Sequence, residues 1–129
     1  MYNSRPFELR HPILTMTTIY HNPRCSKSRQ TLALLEERGQ QPTVVLYLEH
    51  PPSASELRAI LAKLNKTPRE ILRKSEDVYE ALNLDDAKLS DADLINVMVE
   101  NPILIERPIV IKGEKAALGR PPEQVLDIL

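Results

Sequence analysis

The sequence predicts one α/β domain, in which a strand–helix–strand unit is followed by a helical insertion and then by a strand–strand–helix unit. Apolar runs at residues 17–20 and 43–48 flank a helical pattern over 26–38, which is typical of a βαβ unit with parallel strands. Residues 109–118 read as an antiparallel hairpin, and a last helix follows over 123–129. A β-α-β half joined to a β-β-α half is the layout of the thioredoxin-like fold.

Local patterns justify the elements of the first half. Residues 17–20 are β-branched or aromatic, which favours a strand. The helix over 26–38 ends at Gly39, a residue suited to a C-terminal cap. Its buried side is predicted to consist of Thr31, Leu32, Leu34 and Leu35. The run over 43–48 is apolar without interruption, which predicts a strand buried on both faces.

Capping boxes organise the helical insertion. In this motif a Ser or Thr and an acidic residue three positions later cap the first turn of a helix. The chain has three of them, Ser53-x-x-Glu56, Thr67-x-x-Glu70 and Ser90-x-x-Asp93. The predicted helices span 53–64, 67–74, 76–82 and 90–101. Residues 103–105 lie between two prolines and are predicted to form an extended link, and the later hairpin turns at Gly113.

Composition and charge limit the classes of protein to which this chain can belong. The chain has 129 residues, 42% of them apolar, and a formal net charge of −1, so it can build one core and has no overall basic footprint for nucleic acid. No apolar run approaches the roughly 18 residues of a membrane span. A single cysteine excludes an intramolecular disulfide and a four-thiolate zinc site, and no other cluster has metal-ligand spacing.

The domain is predicted to span residues 16–129, preceded by a flexible arm at 1–15. The arm has no apolar periodicity, carries Pro6 and Pro12, and lacks an apolar stretch of signal-peptide length. Met16 is an alternative start of the chain. A free thiol without a targeting segment predicts a cytoplasmic protein.

The only cysteine, Cys25, lies where the first strand turns into the first helix, in His21-Asn22-Pro23-Arg24-Cys25-Ser26-Lys27-Ser28-Arg29. The unpaired N–H groups and the dipole of a helix N-terminus favour a nucleophilic thiolate over the neutral thiol. The charges of Arg24, Lys27 and Arg29 are expected to act in the same direction. The alternative is an inert, buried cysteine, but the stretch around Cys25 lacks the apolar residues that would bury it.

Four arginines are candidate anion-binding residues, namely Arg29, Arg73, Arg107 and Arg120. A guanidinium is always charged, and its planar fork of donors suits a tetrahedral oxyanion. In a thioredoxin-like layout the start of the hairpin lies beside the first helix, so Arg107 is expected to reach Cys25. Arg29 lies one helical turn after Cys25. For each arginine the alternative is a solvated side chain without a role in binding.

Three further residues are candidates for supporting roles. His21 is expected to orient the thiol or favour its anion, or else to bond the backbone of the turn. Ser28 completes a Cys-x-x-Ser spacing similar to that of monothiol redox sites. A cis peptide bond before Pro108 would hold the backbone close to the thiol, although most X-Pro bonds are trans.

Four motifs in order resemble the glutaredoxin-coupled arsenate reductase (ArsC) family, and within it the YfgD-type subgroup. They are His21-Asn22-Pro23-x-Cys25-x-x-Ser28-Arg29, Leu72-Arg73-Lys74, Glu106-Arg107-Pro108-Ile109-Val110 and Gly119-Arg120-Pro121. The resemblance runs from Thr17 to Leu129. It implies a thioredoxin-like fold with a helical insertion, a catalytic cysteine at Cys25, oxyanion-binding arginines at Arg73, Arg107 and Arg120, and a cis proline at Pro108.

The activity implied by the resemblance is reduction of arsenate to arsenite. In the family mechanism the thiolate attacks arsenate, glutathione reduces the thioarsenate ester, and glutaredoxin resolves the mixed disulfide. Glutathione is then a co-substrate, glutaredoxin is a partner, and no cofactor is tightly bound. The single cysteine agrees with this scheme, because a lone thiol needs an external reductant.

Two other functions fit parts of the sequence. A glutathione-dependent thiol oxidoreductase acting on another substrate would use the same Cys-x-x-Ser spacing. A Spx-like regulator, which binds RNA polymerase and is not a catalyst, would share the fold. Such regulators usually have a Cys-x-x-Cys switch where this chain has Ser28, and they lack the full arginine set.

Overall fold

Four strands form one mixed sheet in the computed structural model of the protein, which describes residues 16–129. The strands are β1 (Thr17–His21), β2 (Thr43–Leu46), β3 (Ile109–Lys112) and β4 (Lys115–Leu118). Their order in the sheet is β2-β1-β3-β4, with β1 parallel to β2 and the other two pairs antiparallel. The predicted βαβ unit and hairpin are confirmed. The arm predicted for 1–15 lies outside the described residues.

Helices pack on the sheet and form the insertion. The α-helices are α1 (Ser26–Glu37), α2 (Ala54–Leu64), α3 (Asp77–Ala81) and α4 (Asp91–Glu100). In the described part of the chain, 3₁₀ helices span Pro68–Ile71, Pro102–Leu104 and Pro122–Ile128. Both hydrogen bonds of the capping box are present at Ser53 and at Ser90, so local side-chain chemistry fixes the starts of α2 and α4.

The predicted second strand is wrong in length and in burial. β2 ends at Leu46, and Val44 is 43% exposed. The reason is position: β2 is an edge strand with a neighbour on one side only, so part of its apolar surface faces solvent. Periodicity alone does not distinguish an edge strand from a central one.

Three predictions for proline-led segments also need correction. Pro102–Leu104 is a 3₁₀ turn rather than an extended link, the last helix is 3₁₀ over Pro122–Ile128, and the helix expected to reach Lys74 ends at Ile71. A proline at the first helical position starts a turn with its fixed φ. Such short connecting pieces often keep the tighter 3₁₀ geometry.

Two apolar clusters form the core of residues 16–129. The larger one joins the helical insertion to the sheet and contains Leu57, Leu94, Met98, Leu72, Ile105 and Ile109, among other residues. The smaller one lies between α1, the sheet and the C-terminal 3₁₀ helix, and its buried members are Ile19, Leu35, Val110 and Val125. Leu72 and Ile109 are core residues that directly adjoin loop segments, so the core fixes where those loops begin.

Candidate active site

Strand register brings three loop segments to one edge of the sheet. His21 pairs with Leu46 across β1 and β2, and Tyr20 pairs with Ile109 across β1 and β3. The turn after β1, the residues after β2 and the segment before β3 therefore meet. The loop after β4 joins them, since the N–H of Gly119 donates to the carbonyl of Pro108 at 3.0 Å.

Cys25 is the N-cap residue of α1, with an extended backbone and a partly exposed side chain. Hydrogen bonds within the turn hold it there. Its N–H donates to the Asn22 carbonyl at 3.0 Å, and its own carbonyl accepts from the N–H of Arg29 at 3.0 Å. The Asn22 side chain accepts from the N–H of Arg24 at 3.0 Å. The sulfur therefore sits over the first turn of a helix whose N–H groups lack intrahelical partners.

The pKa of the Cys25 thiol lies below its ordinary value. Burial by itself raises it, but the N–H of Ser28, the guanidinium of Arg107 and the N–H of Lys27 outweigh burial because each stabilises the thiolate. The sulfur makes no capping hydrogen bond of standard geometry, so the N–H groups stabilise the thiolate through their dipoles. The main cation is Arg107, rather than the sequence neighbours of Cys25.

Arg120 and Arg107 are the predicted arginines nearest to the thiol. Nη1 of Arg120 lies 4.0 Å from Sγ of Cys25 and donates to the Arg107 carbonyl at 3.1 Å. The side chain of Arg107 is 14% exposed. Its Nε and Nη1 are two of the three buried side-chain atoms of residues 16–129 that lack a hydrogen-bond partner. Donors next to the thiol are thus left free for an incoming acceptor.

Two glutamates hold the arginines in place. Oε1 of Glu106 lies 2.6 Å from Nη1 of Arg73 and 3.5 Å from Nε of Arg120. Oε2 of Glu76 lies 3.2 Å from Nε of Arg73 and 3.8 Å from Nη1 of Arg107. Among the described residues, Arg73 makes no hydrogen bond to Cys25, and these carboxylates link it to the other two guanidiniums.

His21 and Ser28 lie beneath the turn. Nδ1 of His21 and the Ser28 hydroxyl are 2.6 Å apart, and the same hydroxyl accepts from the N–H of Asn22 at 3.0 Å. His21 therefore bonds a side chain, a third arrangement beside the two expected from the sequence. Burial, and then the charge of Arg29, lower the pKa of His21, so its neutral ring can accept the Ser28 proton. Ser28 is fully buried and makes structural bonds.

Arg29 and Pro108 each shape the backbone of the site. Nη1 of Arg29 donates to the Pro23 carbonyl at 2.9 Å, which ties α1 to the turn from its exposed side. The Arg107–Pro108 bond is cis, as the resemblance implies, and so is the Arg120–Pro121 bond. Both cis bonds directly follow arginines of the cluster.

Sequence reasoning missed three side chains of this region, Glu76, Glu106 and Tyr47. Glu76 follows Arg73 at the i, i+3 spacing of helical ion pairs, which is a readable signal. Glu106 stands next to Arg107, but its contact to Arg73 spans 33 residues. Tyr47 was part of the apolar run, yet its hydroxyl is the third buried atom without a hydrogen-bond partner. Burial raises its pKa, while Arg107, Asn22 and Arg73 oppose that rise.

Two further features bear on the kind of site. Residues 16–129 contain no group of three or more His, Cys, Asp or Glu side chains able to hold a metal ion. Within the same residues, no helix has the length and apolar character needed to cross a bilayer. The chemistry available at this edge of the sheet is therefore that of a thiolate among guanidinium groups.

The fold and the site define a thioredoxin-like protein with one acidic thiol and an arginine cluster beside it. The chain belongs to the ArsC family, whose profile matches residues 20–128. It is 58% identical to the protein YfgD of Escherichia coli strain K12 over 86% of this chain and 94% of that protein. It is 54% identical to a protein named arsenate reductase from Haemophilus influenzae over 86% and 97% of the two chains.

A solved structure gives the same result in three dimensions. The structure named arsenate reductase from Vibrio cholerae superposes with a TM-score of 0.87 at 52% sequence identity, over 89% of this chain and 98% of that one. The thioredoxin-like fold predicted from the sequence is thereby confirmed, as is the resemblance to the ArsC family and to YfgD.

Proposed function

We propose that this protein is an arsenate reductase that uses Cys25 as nucleophile and draws its electrons from glutathione and glutaredoxin. The observation that carries the proposal is the thiol of lowered pKa beside the Arg120 guanidinium and the Arg107 donors that lack a hydrogen-bond partner among residues 16–129. The names of the Haemophilus and Vibrio relatives supply the substrate.

The site suits attack on an anion by another anion. Repulsion between a thiolate and arsenate opposes their approach, and guanidinium groups next to Cys25 offset it. The thiolate forms an S–As bond to singly protonated or doubly protonated arsenate, and a hydroxide ion leaves. Arsenic stays pentavalent in this step. The free donors of Arg107, with Arg120 and Arg73 beside it, stabilise the oxygens on which charge accumulates.

Reduction needs thiols that the chain does not contain. Glutathione attacks the sulfur of Cys25 in the thioarsenate ester, an S–S bond forms, and the electron pair of the broken S–As bond reduces arsenic to the trivalent state, which leaves as arsenite. Glutaredoxin then takes up the glutathionyl group and restores the Cys25 thiol. Ser28 cannot resolve the disulfide, because it carries a hydroxyl, and that hydroxyl is buried against His21. We place the reaction in the cytoplasm, where glutathione keeps thiols reduced.

The test is NADPH-coupled turnover of arsenate with glutathione, glutaredoxin and glutathione reductase. Cys25→Ser should abolish turnover. Arg107→Ala should lower kcat/KM by about 100-fold, the usual cost of losing one preorganised donor to a developing oxyanion. Arg58→Ala is the matched control, because Arg58 is exposed on α2 and should leave turnover unchanged.

Absence of turnover in the wild-type protein would overturn arsenate as substrate. If Cys25 then still reacted with alkylating agents at neutral pH, the thiol oxidoreductase alternative would replace it. Turnover that survives Cys25→Ser would contradict the assignment of the nucleophile.

A further inference from the structure

Glu106 is the carboxylate most closely engaged with the arginine cluster. One oxygen, Oε1, contacts Nη1 of Arg73 at 2.6 Å and Nε of Arg120 at 3.5 Å, and it also accepts from the backbone N–H of Arg107 at 3.3 Å. Its side chain is 24% exposed. Glu106 therefore lies inside the group of guanidiniums that an incoming anion has to reach.

The two glutamates cancel much of the positive charge of the cluster. Arg73, Arg107 and Arg120 face Glu76 and Glu106 in four ion pairs. Once Cys25 ionises, the formal charges of these six groups cancel. Of the other cations near the turn, Arg24 and Arg29 contribute less, since both are exposed and Arg29 bonds the Pro23 carbonyl. A doubly charged anion would therefore gain little net attraction here. A cluster with more net positive charge would favour that anion.

We propose that Glu106 determines the charge specificity of the oxyanion site: by offsetting Arg73 and Arg120, its carboxylate makes the site favour singly charged over doubly charged tetrahedral oxyanions. This inference rests on the proposed function, and it deepens it by naming the ionic form of the substrate. For arsenate that form is dihydrogen arsenate, with two protonated oxygens.

The preferred ion is also the more reactive one. A thiolate meets less repulsion from a monoanion than from a dianion, and the monoanion has two protonated oxygens that can depart as hydroxide where the dianion has one. Thiolate and dihydrogen arsenate give a singly charged thioarsenate ester and hydroxide, so atoms and charge balance. Glu106 thus selects the monoanion by repelling the dianion, because its negative carboxylate lies next to the bound oxyanion.

The experiment compares two tetrahedral anions of similar size and different charge, sulfate and perchlorate. Each is titrated at constant ionic strength against the rate at which iodoacetamide alkylates Cys25, and protection of the thiol gives a dissociation constant. In Glu106→Gln the ratio of sulfate affinity to perchlorate affinity should rise about tenfold over the wild-type ratio, because one nearby negative charge has been removed. Glutamine keeps the shape and can still accept from the arginines.

The control is Glu100→Gln, which removes the same charge from the exposed end of α4 and should leave the ratio unchanged. An unchanged ratio in Glu106→Gln, or equal weakening of both anions, would overturn the proposal, because the carboxylate would then only position the arginines. No protection of wild-type Cys25 by either anion would overturn it as well. If the ratio shifts as expected but arsenate is not turned over, the proposed function fails and the charge specificity stands.

Discussion

At the scale of single residues, the hydroxyl of Tyr47 is the least expected feature of the site. The side chain is 1% exposed, and its Oη has no hydrogen-bond partner among residues 16–129. A buried polar group without a partner costs about 1–3 kcal/mol. Tyr47→Phe should therefore raise the free energy of unfolding by about 1 kcal/mol, because it removes that hydroxyl and keeps the ring. Urea unfolding measures this change.

Tyr79→Phe is the matched control for Tyr47→Phe, because Tyr79 is only partly buried against the same core. Its loss of a hydroxyl should change the free energy of unfolding by less than about 0.5 kcal/mol. The nearby Asn22 amide opposes the rise in the pKa of Tyr47 and is a candidate hydrogen-bond partner for its hydroxyl. A loss of stability in Tyr47→Phe would show that this hydrogen bond forms in solution, and the prediction would be wrong.

The positions of Cys25 and of the arginines beside it follow from the sequence, because each is tied to a local signal. Cys25 precedes a helix start, and Arg107 and Arg120 flank the two ends of a hairpin. The glutamate contacts do not follow in this way. Glu106 meets Arg73 only because Leu72 and Ile105 form a bridge between distant segments, and no periodicity predicts such a bridge.

At the scale of elements, Gly119 sets how closely the loop after β4 approaches α1. A Cβ at this position would lie 2.3 Å from Oγ1 of Thr31 and 2.7 Å from Cγ of Pro108, both far inside van der Waals contact. Gly119→Ala should therefore lower the free energy of unfolding by about 1–3 kcal/mol, the usual cost of overpacking. It should also lower turnover, since the adjoining Arg120 contacts Cys25.

Thr31→Ala provides the test of this mechanism. Alone it should destabilise α1, because the Thr31 hydroxyl donates to the Lys27 carbonyl at 2.8 Å. Combined with Gly119→Ala it removes the nearest clashing atom, Oγ1 of Thr31, and leaves only the Pro108 contact, so the double variant should lose less stability than the sum of the single variants. Additive losses in urea unfolding would show that the Thr31 contact is not the source of the strain.

Element types follow from the sequence wherever capping and periodicity agree, as in α1, α2 and α4. They do not follow where a proline opens a short segment. At 102–104 and 122–128 the backbone takes 3₁₀ geometry. Tertiary contacts, rather than local propensity, decide between that geometry and the extended or α-helical backbone expected from the sequence. The exposure of Val44 is likewise a property of strand order, which lies beyond the pattern of one strand.

At the scale of the whole molecule, the lowered pKa of Cys25 links stability to pH. Between the folded and unfolded pKa values of the thiol, the unfolded chain binds a proton that the folded protein does not. The free energy of unfolding must therefore rise with pH across this window and level off above the unfolded value, about 8.5 for a free thiol. His21, whose pKa is also lowered, makes stability rise in the same direction in a separate window below pH 6.5.

The two windows are separated by comparing wild type with Cys25→Ser under reducing conditions. Urea unfolding from pH 7 to 9.5 should show the wild-type protein gaining stability over the variant as pH rises, whereas the His21 contribution is common to both proteins and cancels. A difference that stays constant would mean that Arg107 and the α1 N-terminus do not stabilise the thiolate. A difference that falls with pH would mean that burial of the thiol outweighs the stabilisation by Arg107 and the α1 N-terminus. The Cys25 thiol would then be neutral near pH 7.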